Sequence, residues 1–203
     1  MKKYFALTIA LLAWFAVIAQ YILMIEHTIA SIPETTIRFF SFFTILTNAL
    51  VAVYMTQLFI QWSSKTKSLF ASTKLLTPLT VYITIVGLVY QVVLRHIWNP
   101  QGLDRVVDEL LHTLIPSLMI VYWFLDENKK DSSYKSIPQW LTYPICYLIY
   151  ILIRGYFSAF YPYPFINVNQ IGLQQAFINA AFLILFFIIM SSVFIFLGKR
   201  IRK

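Results

Sequence analysis

Charged residues in this chain fall in clusters, and the intervals between the clusters have the length of a membrane-crossing helix. No charge occurs between Lys3 and Glu26, between Arg38 and Lys65, or between Lys74 and Arg95. A helix rises about 1.5 Å per residue and needs roughly 20 apolar residues to cross a hydrocarbon core about 30 Å thick. Together with three later apolar stretches, these intervals predict six spans: Tyr4–Ile25, Phe39–Trp62, Leu75–Leu94, Val106–Leu125, Trp140–Phe160 and Leu173–Leu197. Lipid offers the backbone no hydrogen-bond partner, so such spans must satisfy themselves as helices. The expected fold is therefore all-α, a six-helix membrane bundle forming a single domain over residues 1–203. With 60% hydrophobic and 12% charged residues, the chain does not read as a water-soluble domain.

Orientation follows from Lys and Arg, which short cytoplasmic loops retain. Placing the N-terminus inside puts twelve of the sixteen Lys and Arg residues on the cytoplasmic side and leaves only Arg38, Arg95, Arg105 and Arg154 elsewhere. Both termini are thus expected in the cytoplasm. The net charge of +8 then reflects topology and contact with anionic lipid headgroups, and nucleic acid is not an expected partner. Lys2 and Lys3, with the small-residue stretch Thr28–Ile29–Ala30, resemble a signal peptide. The apolar run between them is longer than the 7–15 residues typical of a signal core, so it reads as a retained helix. Cys146 is the only cysteine, which excludes an intrachain disulfide and a cysteine-based metal cluster. Connections are short, and Asp126–Gln139 reads as a solvated loop.

Polar groups inside spans are functional candidates because each must find a partner or water. Ser41, Thr44 and Asn48 recur at helical spacing on the second span, with Thr47 beside them. Asp108, Glu109 and His112 recur on the fourth, and Arg154 precedes Gly155 on the fifth. Thr44 lies six residues beyond Arg38 and His112 seven beyond Arg105, placing each roughly 9–10 Å below its entry point. Arg154 falls at a similar depth, so three helices offer polar groups at one level in the outer half of the bilayer.

A hydroxyl, an imidazole and a cation at one depth suffice for acyl transfer. Histidine is the usual base for a hydroxyl nucleophile, since its pKa of about 6.5 leaves it largely neutral at pH 7. In this reading Asp108 orients His112, while Arg154 and the Asn48 amide stabilise the oxyanion. Thr47 competes with Thr44 as nucleophile. Structural readings stand beside these: membrane-embedded Thr and Ser often bond to a carbonyl one turn back, Pro116 frees the His112 carbonyl and can kink the helix, and Arg154 can neutralise Asp108 or Glu109 or snorkel to the interface. A zinc site from His27, His96 and His112 with Asp108 and Glu109 is a further alternative, although these residues lack ligand spacing. A non-enzymatic role in binding or transporting a lipid or small solute would use the same polar layer.

Four motifs carry a resemblance. They are Arg38–Phe39–Phe40–Ser41–Phe42–Phe43–Thr44–Ile45–Leu46–Thr47–Asn48, Leu111–His112–Thr113–Leu114–Ile115–Pro116, Tyr143–Pro144 through Arg154–Gly155, and Tyr161–Pro162–Tyr163–Pro164–Phe165. In order and spacing they resemble the bacterial six-pass branch of the androgen-induced-gene and androgen-dependent TFPI-regulating protein family. The resemblance covers residues from about 38 to 172 and implies an intramembrane threonine hydrolase acting on fatty acid esters in the cytoplasmic membrane, without a cofactor or metal. It implies Thr44 as nucleophile and His112 as base, with Tyr163 in the motif nearby. Thr47 stands where the eukaryotic motif has an acidic residue, and Arg154–Gly155 stands in place of a histidine-rich turn.

Overall fold

The computed structural model of the chain describes residues 2–64 and 73–201. It is all-helical, with no β-strand among the described residues. Six helices are long and apolar enough to cross a membrane: Lys2–Glu26, Phe43–Trp62, Lys74–Leu94, Gly102–Leu125, Tyr134–Ser158 and Leu173–Arg200, the first to sixth spans below. Lys65, Lys67, Arg202 and Lys203, four of the cations behind the expected orientation, lie outside the described residues.

Small residues set the packing of the first span. Ala6, Ala10, Ala13 and Ala16 are almost wholly buried along one face, letting the backbone of the second span approach closely. Trp14 Nε1 donates to Thr56 Oγ1 at 3.1 Å across that contact. Both chain ends reach the same end of the bundle. Lys2 Nζ lies 3.7 Å from Glu127 Oε1, and Gly198, near the end of the sixth span, packs on the backbone of Lys129.

The expected second span differs at its start. Residues Ile32–Phe39 form a separate short helix, and the spanning helix begins only at Phe43. The reason is local. Ser31 takes an extended N-cap conformation and its hydroxyl accepts from the Glu34 N–H at 3.5 Å, while Pro33 sits in the first turn, where a missing N–H costs nothing. A turn over Phe40–Phe42 then separates the helices, and the next ladder opens with Leu46 N–H donating to the Phe42 carbonyl at 3.1 Å. Ser41 therefore does not share a helical face with Thr44 and Asn48; its hydroxyl donates back to the Ile37 carbonyl at 2.7 Å. Thr44 lies in the first turn of its helix, so a six-residue descent from Arg38 is not what sets its depth.

The first and third spans match their expected bounds within two residues, and the others shift by one to two turns. The fourth starts at Gly102 rather than Val106, and the sixth runs on to Arg200. The fifth is built from short helical pieces from Tyr134 and the helix Thr142–Ser158, which ends where Ala159 adopts a left-handed φ of 55°, so Phe160 lies outside it.

The Asp126–Gln139 connection is mostly exposed, as expected, but it also packs on the bundle through one buried cation. Lys129 is buried, and its ammonium donates to the carbonyls of Phe124 at 3.1 Å and Asp126 at 2.7 Å, capping the end of the fourth span. Ser132 donates to Thr77 Oγ1, which also accepts from Trp123 Nε1, each at 3.0 Å. A methyl group added at Gly198 would sit 2.7 Å from the Lys129 carbonyl oxygen, closer than packing allows. Gly198→Ala would gain about 1 kcal/mol of helix propensity but force a clash of about 1–3 kcal/mol. Its thermal unfolding midpoint in detergent is expected to fall below that of the native chain.

Candidate functional site

At the end of the bundle opposite the chain termini, the first four spans and the 159–166 connection enclose a cavity of about 540 Å³. Thr44, Tyr90, Asp108, His112 and Tyr163 all contribute to its wall, among mainly apolar neighbours such as Phe42, Leu94 and Trp98. Thr44 and His112 thus face one space, although among the described residues no hydrogen bond joins them directly.

Backbone irregularity positions His112. The fourth span widens to a π-turn over Leu110–Leu114, where the Ile115 N–H donates to the Leu110 carbonyl instead of that of Leu111. Pro116 has no N–H to offer next, so the carbonyls of Leu111 and His112 both lose their helical donors. Two features outside that helix accommodate them. Asn48 Nδ2 donates to the Leu111 carbonyl at 3.2 Å and to its own helix's Thr44 carbonyl at 2.9 Å. Gly87 on the third span lets the His112 carbonyl come close, since a Cβ there would lie 3.0 Å from that oxygen. The third span carries a matching π-turn over Tyr90–Leu94.

These turns bring together a group of three side chains. His112 Nδ1 lies 2.9 Å from the Asp108 backbone carbonyl and 3.1 Å from Asp108 Oδ1. Both neighbours are acceptors, so in the neutral ring Nδ1 carries the proton and Nε2 keeps its lone pair. Tyr90 donates its hydroxyl to the other oxygen of Asp108 and stacks on the imidazole, with ring centroids 4.2 Å apart and planes 15° from parallel. Asp108 and Tyr90 are buried, at 7% and 3% exposed, and His112 is half-buried against them.

Thr44 has different partners. Its N–H donates to the Tyr163 hydroxyl oxygen at 3.3 Å, and the two hydroxyls lie 3.4 Å apart. Being in the first turn, its amide has no helical acceptor, and the helix N-terminus favours negative charge beside it. Thr47 turns elsewhere, with Oγ1 3.1 Å from the Tyr143 hydroxyl, and does not line the cavity.

Two residues expected at the oxyanion take other places. The Asn48 amide has both protons engaged by carbonyls, and its buried Oδ1 has no hydrogen-bond partner among the described residues. Arg154 lies outside the cavity wall. It donates to Glu34 Oε1 at 3.0 Å, Ser158 Oγ at 3.2 Å and the Phe160 carbonyl at 3.4 Å, and its guanidinium covers the Phe160 ring at 4.7 Å. It neutralises neither Asp108 nor Glu109; the latter pairs with Arg95. Gly155 admits the ring of Tyr161, which occupies the space where a side chain would stand, so the glycine seats the 159–166 connection rather than a ligand. The zinc alternative does not assemble: His96 is exposed, His27 lies 3.6 Å from Asp104, and among the described residues no three His, Cys, Asp or Glu side chains converge on one point.

Glu34 and Tyr90 were not among the candidates from sequence. A cue for Glu34 exists, since Ser31–Ile32–Pro33–Glu34 is a capping-box pattern that marks a helix start. Tyr90 has no such cue, because it meets Asp108 only through the paired π-turns. Comparison with family models, curated proteins and solved structures finds no match.

Two outcomes are expected here. Asn48→Ala leaves the Leu111 carbonyl buried without a donor, at a cost of about 1–3 kcal/mol, which thermal unfolding in detergent would register as a lowered midpoint. The hydrogen bond from Arg38 holds the Glu34 carboxyl below its ordinary value of 4.5, with Arg154 adding to the effect. A depressed folded pKa means that unfolding takes up a proton, so this stabilisation is full above about 4.5 and is lost as pH falls through the folded value. Glu34→Gln should flatten the acid limb of stability plotted against pH.

Proposed function

We propose that the chain is an intramembrane hydrolase of lipid esters, with Thr44 as nucleophile and His112 as general base. One observation carries this reading: Thr44 and His112 line a common cavity in which Asp108 engages His112 Nδ1, leaving Nε2 to accept a proton. The family resemblance assigns the same two residues the same two roles.

The steps follow from the groups present. His112 Nε2 takes the Thr44 proton, directly or across one water, and Oγ1 attacks the ester carbonyl carbon. The oxyanion receives the Tyr163 hydroxyl proton as a hydrogen bond, and the Thr44 N–H, which donates to that same hydroxyl oxygen, strengthens it as a donor. When the C–O bond breaks, the alcohol leaves with the proton from His112, and the acyl group remains on Thr44. Water then gives its proton to His112 and attacks the acyl carbon, releasing the fatty acid and restoring Thr44. Asp108 stabilises the imidazolium formed at each stage, and Tyr90 holds that carboxylate in register.

With the positive-inside orientation, the cavity lies toward the outer leaflet, where membrane lipids present their ester carbonyls. Purified protein supplied with a fluorogenic acyl ester should turn it over. Thr44→Ala and His112→Ala should abolish turnover, and Tyr163→Phe should lower kcat by about 10²–10³, as expected for loss of one oxyanion donor. Native turnover in either alanine variant would reject the mechanism. Saturable ligand binding with no turnover and no acyl adduct on Thr44 would instead favour a lipid- or solute-binding or transport protein.

A further inference from the structure

A second, smaller cavity of about 80 Å³ also has Thr44 in its wall, without His112. The two cavities share Thr44, Leu94 and Tyr163 as a common wall, while His112 and Asp108 belong only to the larger one. Apart from Thr44 and the two tyrosines Tyr147 and Tyr163, its lining is hydrocarbon: Phe43, Ile85, Val86 and Phe187 at the base, Leu148 and Leu183 toward the outside. Leu148 on the fifth span and Leu183 and Ile184 on the sixth are only half-buried. The cavity therefore reaches the lipid-facing surface between those two spans.

We infer that this cavity receives the acyl chain of the substrate, which enters from the bilayer between the fifth and sixth spans, while the alcohol portion occupies the larger cavity. The direction follows from proton transfer. The group that departs must take a proton from His112, so it lies on the His112 side; the group left on Thr44 lies on the other, where the wall is apolar. Water for the second half of the reaction then meets the acyl carbon from the His112 side. A volume of about 80 Å³ is several times the roughly 10–15 Å³ that one water molecule needs on the same measure. It accommodates the first few methylenes beyond the carbonyl, and a longer chain continues into the lipid. Specificity for acyl length is thus set by the fifth and sixth spans and specificity for the alcohol by the larger cavity.

This inference rests on the hydrolase reading of Thr44, and the test separates the two. Leu183→Trp and Leu148→Trp each narrow the passage from the lipid side. With a series of 4-methylumbelliferyl esters from acetyl to hexadecanoyl, each variant should lower the ratio of dodecanoyl to acetyl kcat/KM at least tenfold relative to the native chain. An unaltered ratio in both variants would overturn the inference while leaving the hydrolase intact. Binding is read independently of turnover by photolabelling the full-length Thr44→Ala protein in nanodiscs with a diazirine-bearing fatty acid. Labelling of Leu148, Leu183 or their immediate neighbours, diminished by the tryptophan substitutions, is the expected result. Labelling confined to other surfaces would overturn it. Labelling at this cavity in a native chain that hydrolyses no ester would refute the catalytic reading alone.

Discussion

A single side-chain amide holds the candidate site together. Inside a membrane, a carbonyl that loses its helical donor has no water to turn to, and the π-turn with Pro116 creates two such carbonyls on the fourth span. Asn48 reaches across from the second span to one of them while gripping the Thr44 carbonyl with its other proton. The contact therefore does more than satisfy a buried group. It ties the helical turn that carries Thr44 to the turn that carries His112, so that two distant stretches of chain share one wall of one cavity. An apolar residue at position 48 would fill the space but leave the Leu111 carbonyl without this donor.

The rim of the cavity depends on a second tie of different chemistry. Glu34 accepts from Arg38 at 2.7 Å within its own short helix and from Arg154 at 3.0 Å on the fifth span. Both guanidiniums lie over the Phe160 ring, at 4.8 Å and 4.7 Å. One carboxylate and one aromatic ring thereby pair with and shield two cations at the end of the bundle, where a lone arginine would draw in water. The same cluster anchors the start of the 159–166 connection. Tyr161 on Gly155 and Tyr163 on Thr44 continue that anchoring inward. Arg154 thus acts on the site through the connection it holds, without touching the cavity.

Much of the architecture was readable from sequence because the bilayer imposes a strong and simple rule. Charge-free intervals of adequate length identify spanning helices, and all six appear. The misreadings are equally physical. Phe39–Phe42 is as apolar as the span that follows, so hydropathy runs through the break that Ser31, Pro33 and Glu34 announce by capping. Lys129 looked solvated because it lies in a polar stretch, yet its ammonium satisfies carbonyls at a helix end. Asn48 and Arg154 were rightly marked as groups needing partners. Beside local partners each finds a distant one, Leu111 and Glu34, more than sixty residues away, and periodicity carries no information at that range.

The amino-acid sequence alone determined the helical class, the number of spans and the set of polar residues that must be accommodated inside them, because burial of charge and of unpaired backbone is so costly in hydrocarbon. Tertiary structure decided which of those residues meet. The π-turns bring Tyr90, Asp108 and His112 into contact, the break before Phe43 places Thr44 at a helix start, and the fifth and sixth spans help to wall a second cavity beside it. Each of these depends on the packing of separate helices, where small differences in helical phase, invisible to composition and spacing, decide which way a side chain faces.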